Sequence, residues 1–472
     1  MGTISSALSL ISQGLNADQS ALNTVANNVA NANTTGYTRQ AANFEENAPV
    51  TINGISYGGG VTETGPTSVR DRVLDERLTQ QQQAASASGS RLAALTTLQA
   101  LFTPTSGSSN STAGDIGSDL TGFFDSFSSL ANSGTATNNA LRQNVLSTAG
   151  TLAGDVSDAA GSLNAQRSAL DQEANGVTSQ VNALTGSIAQ LNQQIQSGSP
   201  NDDAGTLVDQ RQQDLSQLSQ LIGINQVTTE NNGLSITTTS GQLLVSEGSS
   251  FQLTTGSAGG VTHFFVGATD ITSQLAGGGG ALGGYLTARD QDIPTALAGL
   301  DQIAFNVSTE VNSLNNPGTD LAGDTGDAGD LFSEPTQVAG SAASMSVVMT
   351  DPNHIAAASA GQGTGDNSNA MAMANLANQG IVNGQTPTNY YSSFVTTLGS
   401  TVSGVQAENT AQNASVTQLQ SQRDALSGVN LNDEASAMTT FERSYQAASQ
   451  VFTMLDTLMA SVLNLGDTTA VT

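Results

Sequence analysis

Residues 25 to 40 read VANNVANANTTGYTRQ. Val25, Val29 and Ala32 fall three and four apart, the spacing of one helix face. Asn27, Asn28, Asn31 and Asn33 crowd the same stretch, although Asn is a poor helix former. Such a helix is weak alone and carries no charge to solvate an outer face, so it needs neighbours. Gly36, after Thr34 and Thr35, supplies the left-handed cap that stops it.

Toward the N-terminus the pattern continues. Ile4, Leu8, Ile11, Leu15, Leu22, Val25, Val29 and Ala32 step by threes, fours and sevens with only Asp18 out of character, a heptad seam. At 1.5 Å per residue it spans roughly 40 Å. The other end of the chain matches it. Val402, Val405, Gln412, Val416, Leu419 and Leu426 hold one seam, and after the break GVNLNDE a second carries Met438, Phe441, Tyr445, Ala448, Phe452, Leu455 and Val462.

Between the ends, residues 41 to 67 lose the period and collect Gly and Pro, which predicts a turn-rich connector with short extended pieces. Leu74, Leu78, Gln81, Ala85, Ser88, Leu92, Leu95 and Phe102 mark a second helix, broken by the Pro, Gly and Ser cluster at 104 to 114. From Val145 through Leu152, Val156, Leu163, Leu170, Val177, Val181, Leu184, Ile188 and Leu191 to Ile195 one heptad register persists. Unbroken, it is roughly 75 Å of helix. Gly150, Gly154, Gly161, Gly176 and Gly186 weaken it and mark candidate breaks. Ser199-Pro200 ends it, and a further helix around 204 to 222 carries Val208, Leu215, Leu218 and Ile222.

Over 224 to 275 the period becomes two, with Thr- and Val-rich runs and an Asn232-Gly233 turn, which predicts a small antiparallel β domain. GGGGALGG, residues 277 to 284, reads as a flexible joint into a helix with Ile293, Leu297, Leu300, Val307, Val311 and Leu314. Residues 316 to 390, rich in Gly, Asp, Ala and Ser, predict loops and short elements. The expected class is mainly α with a small antiparallel β domain (α+β). The N- and C-terminal helices pair in a coiled-coil-like stalk and the middle domains are inserted at its far end. The expected divisions are 1–66 and 428–472 as the two parts of a terminal domain, 67–223 as a long-helix domain, 224–284 as the β domain and 285–315 as a returning helix. Residues 316–395 form a Gly/Asp-rich insertion and 396–427 the C-terminal strand of the helical pair.

The 472 residues suit about three domains. Hydrophobic content is 37%, but aromatics are 4% and charged residues 11%, which suggests packing through small and aliphatic side chains. All eleven basic residues are Arg, and 39 acids leave a net charge of -28. Nucleic acid and anionic membrane surfaces are poor partners for such a chain. With no Cys there are no disulfides, thiolate metal sites or Cys nucleophiles. No Arg precedes Arg39 and MGTISSALSLISQGL is interrupted by Ser, Gln and Gly, so neither a cleaved signal peptide nor membrane insertion is expected. MGTISS also fits the N-myristoylation pattern, but Ile4 and Leu8 already open the helical seam.

Chemistry is sparse. His263 and His354 stand apart from any second nitrogen ligand. Lysine is absent, so no phosphate-cradling P-loop exists. Asp324, Asp327 and Asp330 are spaced by threes, where a calcium-binding hand needs twos and a distant Glu; they read as a solvated turn. No nucleophile constellation is present, and no catalytic residue, cofactor or metal site is assigned.

ALNTVANNVANANTTGYTRQ at 21 to 40 and SGVNLNDEASAMTTFERSYQAASQVFTMLDTLMASVLNL at 427 to 465 resemble the paired terminal signatures of the bacterial flagellar axial proteins, a family of rod, hook and hook-associated proteins. GTLVDQRQQDLSQLSQLIGI at 205 to 224 and GYLTARDQDIPTALAGLDQIAFNVSTEVN at 284 to 312 resemble its hook-associated members, over nearly the whole chain. The missing Lys and QQQQ at 80 to 83 depart from that likeness and bear on surface contacts.

The resemblance implies a non-enzymatic structural adaptor between hook and filament. It implies secretion by the flagellar type III export apparatus without a cleaved signal peptide, and an extracellular place in the flagellum. Implied partners are further copies of itself in a ring of the axial tube, the hook protein, the second hook-filament junction protein and a FlgN-type export chaperone on the C-terminal segment. Leu8, Ile11, Leu15, Leu22, Val25, Val29, Phe441, Tyr445, Phe452, Leu455 and Val462 are the expected polymerisation seam. Asn27, Asn28, Asn31 and Asn33 are expected to bond between subunits. The competing readings are another axial protein, such as the hook or second junction protein, and a secreted coiled-coil adhesin or surface-layer protein.

Overall fold

The computed structural model describes residues 2–52, 54–102, 115–132, 134, 136–198, 205–229, 232–325 and 328–467. The expected breaks at 104 to 114 and Ser199-Pro200, and Asp327, lie outside the described residues.

Helix α1 (Gly2–Ala30) ends before Gly36, whose φ of +84° is the left-handed geometry that favours glycine. Two small ribbons follow. Strand β1 (Gln40–Glu46) pairs antiparallel with β4 (Val61–Ser68), with a bulge at Asn43/Phe44, and β2 (Val50–Ile52) pairs with β3 (Ile55–Tyr57) to form a hairpin between them. Helix α2 (Arg72–Phe102) leads to α3 (Ile116–Leu130), then α4 (Asn139–Ser197) and α5 (Gly205–Leu221).

The period-two region is a four-stranded antiparallel meander and a three-stranded sheet. The meander contains β5 (Ile224–Thr228), β6 (Leu234–Thr238), β7 (Leu243–Ser246) and β8 (Ser249–Ser250). The second sheet, in the order β11-β10-β9, contains β9 (Leu253–Ala258), β10 (Val261–Val266) and β11 (Thr269–Asp270). Asn232 turns between β5 and β6 at φ +58°. Then come α6 (Thr272–Leu275), α7 (Gly280–Thr287), a π-helical turn at Ala288–Asp292 and α8 (Ile293–Asn315). The short helices α9 (Ser341–Ser344) and α10 (Ser368–Asn375) precede the long α11 (Pro387–Ser427) and α12 (Leu431–Asp467).

Helix α4 is the spine. Its 59 residues run without a break, roughly 90 Å at the α-helical rise. Glycines at 150, 154, 161, 176 and 186 do not interrupt it. No neighbour lies where their Cβ atoms would be, so these residues occupy open positions while Val145, Leu152, Val156, Leu163, Val181 and Ile188 bury the other face. Tertiary packing along both halves outweighs roughly 1 kcal/mol of helix propensity per glycine.

Those halves belong to different cores. The first half packs with α3, α8, the end of α2 and residues 331–382; Phe123 lies 5.3 Å from Phe127 and 5.4 Å from Phe332. The second half, with α5 and α7, carries both middle sheets through Leu215, Leu218, Ile236, Val245, Phe264 and Leu286. Between the cores Asp171 of α4 accepts from Thr262 N at 2.9 Å and from the buried Arg289, which also donates to Thr262 O at 2.9 Å.

Four features differ from the sequence expectations. Helix α3 was not anticipated, because its Ile116, Leu120, Phe123, Phe127 and Leu130 period is flanked by Ser-, Gly- and Thr-rich chain. The 316–395 stretch is no separate insertion in packing terms, since Leu331, Phe332, Ile355 and Met373 fill the first core. The divisions at 66/67, 284/285 and 395/396 fall inside β4, α7 and α11. The glycine run at 277–284 is not a flexible joint: a Cβ on Gly280 would strike the backbone of Leu221 and Ile222, and one on Gly284 the backbone of Ala87, so it is a close crossing of α7 over α2 and the end of α5.

Candidate functional site

The terminal helices come together. Helices α1 and α12 pack along one another, and the end of α1 meets the start of α12, so the pair is antiparallel. Helix α1 also rests on the β1–β4 ribbon, where Ser20 Oγ donates to Glu63, and small residues, Ala17 and Ala21, are buried. Among the described residues α1 thus packs chiefly on α12 and the ribbon.

The join is built on Asn28, which is 1% exposed. Its Nδ2 donates to Gln40 O at 2.8 Å and to Glu434 Oε2 at 3.0 Å; its Oδ1 accepts from Tyr37 Oη at 2.8 Å and Gln40 N at 2.9 Å. All the bonding capacity of the amide is used. Glu434, buried in the first turn of α12 where the helix dipole favours an anion, also accepts from Arg39 Nε at 2.6 Å.

The five residues Gly36 to Gln40 tie this join to the rest of the chain. Arg423 of α11 donates to Gly36 O at 3.0 Å, and Arg39 N donates to Ser427 O at 2.9 Å. Thr38 N donates to Asp209 of α5 at 3.1 Å. Arg70 pairs with Asp209 and lies 3.8 Å from Asp75 of α2, which Arg423 reaches at 3.3 Å. Three arginines are thereby set against three carboxylates. Burial pushes the Asp75 and Asp209 carboxyls up, and the arginines, with the Thr38 N–H at Asp209, offset only part of that rise. The Tyr37 hydroxyl is pushed up to about 12 by burial and then by the Asp209 and Glu434 charges, which keeps it a hydrogen-bond donor.

The expected seam is only partly covered. Val25 is buried; Leu8, Ile11, Leu15, Leu22, Phe441, Phe452 and Leu455 are half-buried; Val29, Tyr445 and Val462 are exposed. Val451, Met454, Leu458 and Leu463, not anticipated, are exposed beside them. The apolar arc of α12 is wider than α1 can cover. Of the four asparagines, Asn27 and Asn33 are exposed and half-buried Asn31 donates to Asn27 Oδ1 at 2.7 Å. Asn28 departs from the expected role between subunits, because its bonds are spent inside the chain. Arg39, Arg70, Asp75, Asp209, Arg423 and Glu434 were not anticipated either, since isolated charges leave no period to read.

The histidines pair locally, His263 with Asp270 at 2.7 Å and His354 with Asp320 at 2.8 Å. Among the described residues no group of three potential ligands could hold a metal, and no helix is long and apolar enough to cross a membrane.

Comparison with known proteins bears on what this arrangement serves. Residues 105–332 match the family described as flagellar hook-associated protein FlgK helical domain. Residues 11–38 match flagella basal body rod protein, and 420–465 match flagellar basal body rod FlgEFG protein C-terminal. The chain is similar to flagellar hook-associated protein 1 of Bacillus subtilis (strain 168), 27% identical over 96% of each chain. It is similar to the proteins of the same name from Salmonella typhimurium (strain LT2) and Escherichia coli (strain K12), each 25% identical over 98% of this chain and 100% of the relative. Its fold is similar to a solved structure titled flagellar hook junction protein FlgK from Burkholderia pseudomallei, with a TM-score of 0.66 and 19% identity, over 75% of this chain and 100% of that one. The matches at both ends meet in the α1–α12 pair and the match in the middle takes in α4, and together these likenesses support a flagellar hook-associated protein of the FlgK type, a structural component of the bacterial flagellum and not an enzyme.

Proposed function

We propose that this chain is the adaptor that joins the flagellar hook to the filament, and that it polymerises through α1 and α12 after type III export without cleavage of its N-terminal seam. The observation that carries the reading is the apolar arc of α12, which α1 covers on one side only and which leaves Val451, Met454, Leu458 and Val462 in solvent. A contiguous apolar patch on a helix pair calls for a partner. Its immediate partners are further copies of itself, with Leu8, Ile11, Leu15, Leu22, Val25, Val29, Phe441, Tyr445, Phe452, Leu455 and Val462 in the shared packing. Exposed Asn27 and Asn33 and half-buried Asn31 offer amides without repeating like charges around an axis.

Hook and filament differ in subunit packing, so an adaptor must offer one compatible surface to each. The hook protein is the partner on one side and the second junction protein on the other. A FlgN-type chaperone covers the C-terminal segment before export, since the same apolar face invites aggregation. Deleting the coding sequence tests the role. The expected cells carry complete but bare hooks by electron microscopy and release soluble flagellin; normal filaments or missing hooks reject it.

A further inference from the structure

The β2–β3 hairpin is uncovered. Val50, Ile55 and Tyr57 are 51, 58 and 49% exposed, and among the described residues the two strands pair with each other and make at most weak contact with any other element. A lone two-stranded ribbon is marginal in water, so its apolar side chains need a cover. The hairpin's base sits beside the first half of α1, where Asn47 Nδ2 donates to Gln13 Oε1 at 3.1 Å and Gly60 lies over Leu10.

Height along the helix pair selects the cover. Glu434 lies level with Asn28, and α12 runs antiparallel to α1. The level of Leu10 to Gln13, about 15 to 18 residues back along α1 at the common rise per residue, is therefore reached near residues 449 to 452, where Val451 lies. There Val451, Met454, Leu458 and Val462, three and four apart, form one exposed stripe. A single chain thus shows two different apolar patches, the base of the hairpin standing level with the start of the stripe. The hairpin's base stands beside α1 and the stripe lies on α12, and both patches are exposed within the subunit. Residues 47 to 61 carry no charge, and 444 to 465 only Asp456, so few like charges within the two patches oppose bringing them together. Two distinct complementary patches make a heterologous contact, the kind that closes into a ring or continues as a helix.

We infer that, in the assembled protein, the β2–β3 hairpin of each copy docks Val50, Ile55 and Tyr57 on the Val451, Met454 and Leu458 stripe of a second copy. This rests on the assembly reading above. The chain has no cysteine, so pairs can be introduced without background. Ile55→Cys with Met454→Cys, and separately Tyr57→Cys with Leu458→Cys, are expressed in place of the native chain; flagella are isolated, oxidised and run on a non-reducing gel. The expected result for at least one pair is a ladder of covalent oligomers, with monomer alone from each of the four single variants. Monomer alone from both double variants within isolated flagella overturns the docking while leaving the assembly reading standing, and so does dimer from a single variant, which signals a symmetric contact. Absence of the otherwise native chain from isolated flagella overturns the assembly reading and the docking together.

Discussion

Asn28 Nδ2 donates to Glu434 Oε2 at 3.0 Å, a contact between side chains 406 positions apart that fastens the two terminal helices to one another. Asn28→Ala leaves the Glu434 carboxylate and the Gln40 backbone short of partners in a buried site. The expected loss is about 1–3 kcal/mol, the cost of unmaking buried hydrogen bonds. Hydrogen exchange should show it as faster exchange in α1 and the first turns of α12, with α4 unchanged. Uniform exchange changes along the chain would refute a local join.

Arg39 and Glu434 should couple. Arg39→Met alone leaves a buried carboxylate without its countercharge, whereas Arg39→Met with Glu434→Met removes both charges. The single change should therefore destabilise the terminal pair by more than the double change, by roughly 1 kcal/mol after allowance for the partly exposed Arg39. Urea unfolding followed by limited proteolysis of the ends measures the cycle; additive effects would mean the pair contributes nothing specific.

Glycine should act in opposite directions at two sites. Gly176→Ala, in α4 with open space around its Cβ, is expected to stabilise by up to about 1 kcal/mol. Gly284→Ala puts a methyl on the backbone of α2 and is expected to destabilise by about 1–3 kcal/mol. Thermal melts of the two variants decide this, and equal melting temperatures would show that the α7–α2 crossing yields freely.

Asp119 gives the fold a pH dependence. Burial, and then the neighbouring Asp155 and Asp115 carboxylates, push its carboxyl from 3.8 up to about 7. The folded chain keeps this proton where the unfolded chain releases it. The contribution is fully present below about 4 and is lost as pH rises to about 7. Asp119→Asn should raise the melting temperature at pH 8 and change it little at pH 4; the reverse order would contradict the assignment.

Met454→Glu separates folding from assembly. The side chain is 59% exposed in the single chain, so monomer stability should change by no more than about 0.5 kcal/mol. In an assembled contact the same charge is desolvated, and filament formation in complemented cells should fail. Leu22→Glu, at a half-buried seam position, should also block assembly and leave the two middle cores folded. Normal filaments from either variant would show that its position is not in the packed surface.

The sequence by itself determined the seams of α1, α4, α11 and α12, the change to period two near residue 224, and the terminal signatures of the axial family. These are local patterns, written by side chains that share a face within one element. Only the tertiary structure decided that Asn28 closes on Glu434 and Gln40 while Asn27 and Asn33 face solvent, because an amide reads the same whether its partner is in the chain or outside it. It also decided that the glycines of α4 lie in the open while Gly280 and Gly284 are crossing points, since a missing Cβ carries no record of what stands in its place. Arg39, Asp75, Asp209 and Arg423 converge for the same reason: single charges have no period, and what selects their partners is a fold that brings α2, α5, α11 and α12 to one five-residue stretch.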